Sequence, residues 1–193
     1  MIKKNRLLIT FTLLAFSLAF GSSASAGTGT RDDPVLMIII GEFTKTKMAE
    51  VLAEIYATKK YVSLDLSPMT GSILDLAFLH GNGEEYIVSL KLSGTVRSIA
   101  DSFDRFGDRF LSLTSVTIGD SVTSIGSWAF LNCTNLTNVR FESTIPSSGF
   151  STSSPFLGDL RAKFYAGNSV NGTPGMYTTT APVGNNSVWT KRP

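Results

Sequence analysis

The chain has 193 residues, of which 42% are hydrophobic, with 17 Lys and Arg against 15 Asp and Glu, one His and one Cys. A lone Cys excludes an internal disulfide framework and any Cys-cluster zinc or iron–sulfur site, and a lone His excludes a multi-histidine metal centre. The length suits one domain, or two small ones.

Residues 1–26 read as an export signal. Lys3, Lys4 and Arg6 form a positive start, Leu7 to Phe20 is an apolar run interrupted only by Thr and Ser, and Ala24-Ser25-Ala26 is a small-x-small cleavage site, placing the mature start at Gly27. A retained membrane anchor is the rival, but 14 residues in a helix rise only about 21 Å, short of a ~30 Å hydrocarbon core. Cleavage after Ala26 takes 17 Lys and Arg to 14 and leaves the 15 Asp and Glu untouched, so the mature chain is slightly acidic and a nucleic-acid role loses its electrostatic support. A secreted or cell-surface protein without a stable membrane span is expected.

Residues 27–60 predict a strand and a helix. Val35 to Ile40 is an unbroken apolar strand ended by Gly41, and Met48, Val51, Leu52 and Ile55 follow the i, i+3, i+4, i+7 spacing of an amphipathic helix. Thr46 is placed to cap its start, and Lys59 and Lys60 suit its C-terminus. Followed by a strand at 61–66, this makes a right-handed crossover that covers the open end of whatever stacks behind it.

From residue 61 the chain repeats. Leu113, Val116, Ile118 and Val122 recur 23 residues on as Leu136, Val139, Phe141 and Ile145, and 26 residues back as Ile87, Leu90, Leu92 and Val96. A further step back gives Tyr61, Leu64, Leu66 and, where Ile99 matches Ile125, Ile73; only Thr70 breaks that outer copy. Apolar-x-apolar at 64–66, 90–92, 116–118 and 139–141 has the period of a strand with one buried face. Units this small cannot bury that face alone, so copies must stack as parallel strands into a solenoid of about four repeats over 61–157. Return segments with Ile73 and Phe78, and with Ile125 and Phe130, dip twice into the stack. An antiparallel β-sandwich with accidental spacing is the alternative.

Leu113-Thr-Ser-Val-Thr-Ile-Gly-Asp-Ser-Val-Thr-Ser-Ile-Gly-Ser-Trp-Ala-Phe-Leu-Asn-Cys133 resembles the repeat of BspA-type leucine-rich repeat proteins, which are bacterial surface proteins. The likeness runs on through Phe141 and, more loosely, back through Tyr61-Val-Ser-Leu-Asp-Leu66 and Ile87-Val-Ser-Leu-Lys-Leu92. Leu160-Arg-Ala-Lys-Phe-Tyr, Gly172-Thr-Pro-Gly-Met-Tyr177 and Trp189-Thr190 resemble the terminal segment of such chains, so residues 158–193 read as a C-terminal cap or tail. Two departures stand out: Ser148 falls where Ile125 maps, and an extra residue precedes Phe106. The resemblance implies a leucine-rich repeat fold and non-catalytic adhesion to a host extracellular-matrix or cell-surface protein, or to another cell. Residues 146–159 and 167–187, rich in Ser, Pro and Gly, predict loops around a short element near Leu160 to Tyr165, helix or strand.

Catalytic candidates are few. Cys133 reads as a small buried residue, and His80, the only histidine available as a general base, sits in the turn sequence Leu79-His-Gly-Asn-Gly83. Asp32-Asp33 and Glu84-Glu85 are adjacent and diverge if extended, unlike a two-carboxylate hydrolase pair. Asp101, Asp104 and Asp108 share a loop with Arg105 and Arg109 and read as an ion-pair network rather than a calcium site. Four Asn-x-Ser/Thr sequons begin at Asn132, Asn135, Asn171 and Asn185, and matter only in a eukaryotic secretory pathway. No catalytic residue, metal or cofactor is assigned.

A ligand surface is expected on the sheet face turned away from the core. Its rows are Asp65, Lys91, Thr117 and Arg140; beside them Ser63, Ser89, Ser115 and Asn138; then Ser67, Ser93, Gly119 and Glu142. Four strands at ~4.8 Å make it about 15 Å across. Two functions fit: adhesion through that face, or an antigenic surface cassette with no dedicated ligand. A secreted hydrolase is the third and weakest.

Overall fold

The structure is a computed structural model, and the residues it describes are 22–25, 27–42, 44–70, 73–74, 82–92, 94–101 and 110–193. The apolar leader, Ala26, Phe78, His80, Ser93 and the loop residues Asp104, Arg105, Phe106, Asp108 and Arg109 lie outside them.

In chain order the strands are β1 (Ser22–Ser25), β2 (Val35–Ile39), β3 (Gly41–Glu42), β4 (Val62–Asp65), β5 (Met69–Thr70), β6 (Ile73–Leu74), β7 (Ile87–Lys91), β8 (Ser98–Ile99), β9 (Ser115–Ile118), β10 (Ser124–Ile125), β11 (Asn138–Phe141), β12 (Gly175–Thr178) and β13 (Thr190–Lys191). Helix α1 (Lys45–Thr58) lies between β3 and β4, a 3-10 turn (Glu84–Tyr86) precedes β7, and helix α2 (Leu160–Tyr165) precedes β12.

The strands of the repeats lie side by side, as the period demands. One eight-stranded sheet has the order β1-β2-β4-β7-β9-β11-β12-β13, and β2, β4, β7, β9 and β11 run parallel. Leu64 pairs with Leu90, Leu90 with Val116, and Val116 with Val139, so one apolar column runs through four coils. These side chains are buried, as are Leu66, Leu92, Ile118 and Phe141 in the next column. Each such side chain withdrawn from water stabilises by roughly 1.5–3 kcal/mol, which is why a column of them holds the stack. A narrower parallel ladder, β6-β8-β10, backs the first, with Ile99 beside Ile125.

Polar side chains repeat at the same interval and tie coil to coil. Thr114 Oγ1 donates to the Val88 carbonyl at 3.1 Å, Thr123 Oγ1 to the Arg97 carbonyl at 3.1 Å, and Ser124 Oγ to Ser98 Oγ at 2.8 Å. Asn135 Nδ2 reaches the Leu111 carbonyl at 2.6 Å.

Register differs from the simple period at three places. Val62, not Tyr61, pairs with Ile87, because a bulge at Val62/Ser63 absorbs Val88 before Ser63 meets Ser89. In the back ladder Leu74, not Ile73, pairs with Ile99. Ser148 does not leave a gap where Ile125 maps, since Phe150 bridges Ile125 and is itself buried.

The N-terminal elements follow from the same patterning. Met48, Val51, Leu52 and Ile55 are the buried stripe of α1, and β2 runs parallel to β4 across that helix. Thr44, rather than Thr46, caps the helix: its backbone is extended and its side chain accepts from Lys47 N–H at 3.1 Å, the three-residue reach that a cap needs. Lys59 closes it in the left-handed conformation, φ 54°.

At the other end the chain turns back. The element near residue 160 is helix α2, burying Leu160 and Phe164. Residues 167–187 are not all loop: β12 pairs antiparallel with β11, and β13 antiparallel with β12. Tyr177 on β12 and Trp189 beside β13 are fully buried, and Trp189 Nε1 donates to the Leu157 carbonyl at 2.9 Å. Phe141, Phe150, Phe164 and Tyr177 form one ring cluster, the Phe141 and Phe164 centroids being 4.4 Å apart.

Candidate functional site

In a strand with one face buried, the intervening residues must point the other way. The ladder therefore brings all eight expected face residues together. Ser63, Ser89, Ser115 and Asn138 are mutual partners in one row, and Asp65, Lys91, Thr117 and Arg140 in the next. Seven are half-buried and Arg140 is exposed. The third row is less complete, because Gly119 is buried while Ser67 and Glu142 reach solvent to different degrees.

Charges on this face are partly engaged. Lys91 Nζ stands 3.7 Å from Asp65 Oδ2, and Asp65 Oδ1 accepts from Ser67 N–H at 2.8 Å. Arg140 has no ion-pair partner among the described residues and is the cation most open to a ligand.

The face extends beyond the four repeat strands. Leu36 lies beside Ser63 and Ile38 beside Asp65 on β2, while Thr178 lies beside Asn138 and Met176 beside Arg140 on β12. From β2 to β13, seven strands at ~4.8 Å spacing span about 29 Å, roughly twice the expected width. The ribbon grades from apolar at Leu36, Ile38 and Ile40, through Ser and Thr, to Arg140 and then Arg192, whose Nε donates to Thr178 Oγ1 at 2.7 Å. Sequence reasoning missed both flanks. Val35 to Ile40 carries apolar residues on both faces, so no alternation marked an outer side, and β12 has no repeat partner at all.

Residues 97–155 match the family model of the BspA type leucine-rich repeat region (6 copies). These residues are BspA-type leucine-rich repeats. The match holds β8 to β11 with Ser115, Thr117, Asn138 and Arg140, and the paired columns carry the same stacking back to β2, outside it. No curated protein matches the chain, and no solved structure matches it.

Several other chemistry-bearing groups among the described residues make structural contacts. Cys133 is buried inside the leucine-rich repeat core, and burial pushes its thiol up to about 12, so it carries almost no thiolate at neutral pH. Glu84 and Glu85 do not extend but lie in the 3-10 turn; Glu84 is buried and Glu85 Oε2 accepts from Gly83 N–H at 2.9 Å. Asp33 Oδ2 accepts from Thr28 N–H at 2.9 Å. Asp101 Oδ1 accepts from Ser127 N–H on the next coil, and the other members of the expected ion-pair network lie outside the described residues. His80 lies outside them too. Among the described residues no group of three or more His, Cys, Asp or Glu could hold a metal ion, and no helix is long and apolar enough to cross a membrane.

Proposed function

We propose that the chain is an exported leucine-rich repeat protein that binds another macromolecule, without catalysis, through the outward face of its main sheet. Residues 1–26 are its signal, 27–60 and 158–193 its two caps, and 61–157 its repeat body. The observation that carries the binding role is the alignment of Ser63, Ser89, Ser115 and Asn138 beside Asp65, Lys91, Thr117 and Arg140, which sets small polar side chains and one open cation in parallel rows. Small side chains leave backbone and hydroxyl groups accessible over a broad strip, a surface suited to a protein or glycan rather than to a buried small molecule. Adhesion to an extracellular-matrix or cell-surface component is the function this supports best.

The test is a binding screen of the exported protein against matrix proteins and glycans, with intact cells stained by antibody to establish surface display. Arg140→Glu reverses the open cation and is expected to weaken a detected interaction about tenfold, roughly 1.4 kcal/mol, mainly through a slower and more salt-dependent association. A detected interaction that survives both Arg140→Glu and Lys91→Glu does not use this face.

A further inference from the structure

The two ends of the main sheet are built differently. At one end β13 has two residues, Thr190–Lys191, both exposed and followed by Arg192 and Pro193. A short strand, two cations and a proline deter any further strand from adding there. At the other end β2 is five residues of Val-Leu-Met-Ile-Ile without a charge, and its outward face shows Leu36 at 37% and, just past the strand, Ile40 at 42% exposure. One side of β2 is engaged by β4, with Val35 N–H donating to the Tyr61 carbonyl at 2.9 Å, so alternate residues offer their N–H and C=O groups to the other side.

That other side is occupied by β1, antiparallel, from Ser22 opposite Ile39 to Ser25 opposite Leu36. The edge therefore accepts an antiparallel strand, and the strand it accepts, Ser-Ser-Ala-Ser, lies wholly before Ala26. We propose that cleavage after Ala26 strips β1 from the sheet and turns the β2 edge into a dimerisation surface, on which β2 of a second copy pairs antiparallel about a two-fold axis. The proposal rests on the export reading above.

The pattern of β2 is self-complementary. With the two-fold axis at Met37, Leu36 of each copy stands opposite Ile38 of the other on the outer face, and Val35 opposite Ile39 on the core side. The exposed apolar side chains thereby gain cross-strand apolar neighbours. Both copies use the same edge, so the assembly closes at two, while the guarded β13 edge prevents growth into a filament.

The test takes the exported protein, fixes its N-terminus by intact mass, and follows sedimentation from about 1 to 100 µM, a span of roughly 2.7 kcal/mol in association free energy. Expected are a Gly27 start and a concentration-dependent dimer that Leu36→Lys with Ile38→Lys weakens at least about 100-fold, like charges then meeting across the axis. Ile38→Pro is the second variant, should the lysine pair unfold the chain: it removes an edge N–H that the β4 ladder does not use, and it too should leave a monomer with an unchanged far-ultraviolet spectrum. A Gly27 start with a monomer throughout, or a dimer indifferent to these variants, overturns the proposal and leaves export standing. A mass matching Met1 overturns both.

Discussion

Phe141 sits at the meeting point of the repeat column and the C-terminal rings, in contact with Phe150, Phe156, Phe164 and Tyr177. Truncation there leaves a cavity that several bulky rings cannot all move to fill. Phe141→Ala is therefore expected to lose about 3–5 kcal/mol of stability, read from the urea midpoint. Cys133 offers a second check. Its burial was legible from the repeat, where it follows Phe130 at the close of a coil, and the raised thiol predicts no reaction with a thiol reagent in the native protein at pH 8 and full reaction once urea unfolds it. The helix cap was less legible: Thr44 and Thr46 are both plausible in a string of Lys and Thr, and only the path of the chain out of β3 decides which one is extended.

At the scale of the element, the strands were the legible part because each repeats the same two-residue alternation. Their exact offsets were not, since a bulge at Val62/Ser63 and the substitution of Phe150 for a residue at 148 change spacing without changing which side chains can be buried. The Asp65–Lys91 pair is a cross-strand consequence of that register. With the Lys91 side chain 44% exposed, solvent screening holds its worth to a few tenths of a kcal/mol, so Lys91→Glu, which sets two carboxylates opposite each other, should lower the melting temperature only slightly, and the Asp65→Lys/Lys91→Glu swap should recover that small loss. The turn before β12 is more demanding. Gly172 has φ 70°, and a Cβ there would run into the Phe164 ring. Gly172→Ala combines backbone strain with overpacking and is expected to destabilise by about 2–3 kcal/mol by denaturant titration, more than an ordinary surface change in a Ser- and Gly-rich segment would.

For the molecule as a whole, Cys133, Tyr165 and Tyr177 all have their pKa values raised by burial, partly countered at Tyr165 by Arg161. A group raised in the folded state binds its proton more tightly there, so its contribution is intact below the ordinary value and is lost as pH climbs through the folded one. For Cys133 that window runs from 9.0 to about 12, and Cys133→Ala should flatten the fall of the thermal midpoint across it relative to the parent. The sequence by itself determined the repeat, the parallel stacking and the polar rows on the outward face, because an apolar period of two within a period of 23 to 26 admits only one economical way to bury every coil. It did not determine the breadth of that face or the character of its ends. Those depend on β2, whose residues are apolar on both sides, and on β12 and β13, whose Gly, Thr and Lys carry no periodic signal and become strands only because β11 presents an unpaired edge and a ring cluster for Tyr177 and Trp189 to complete.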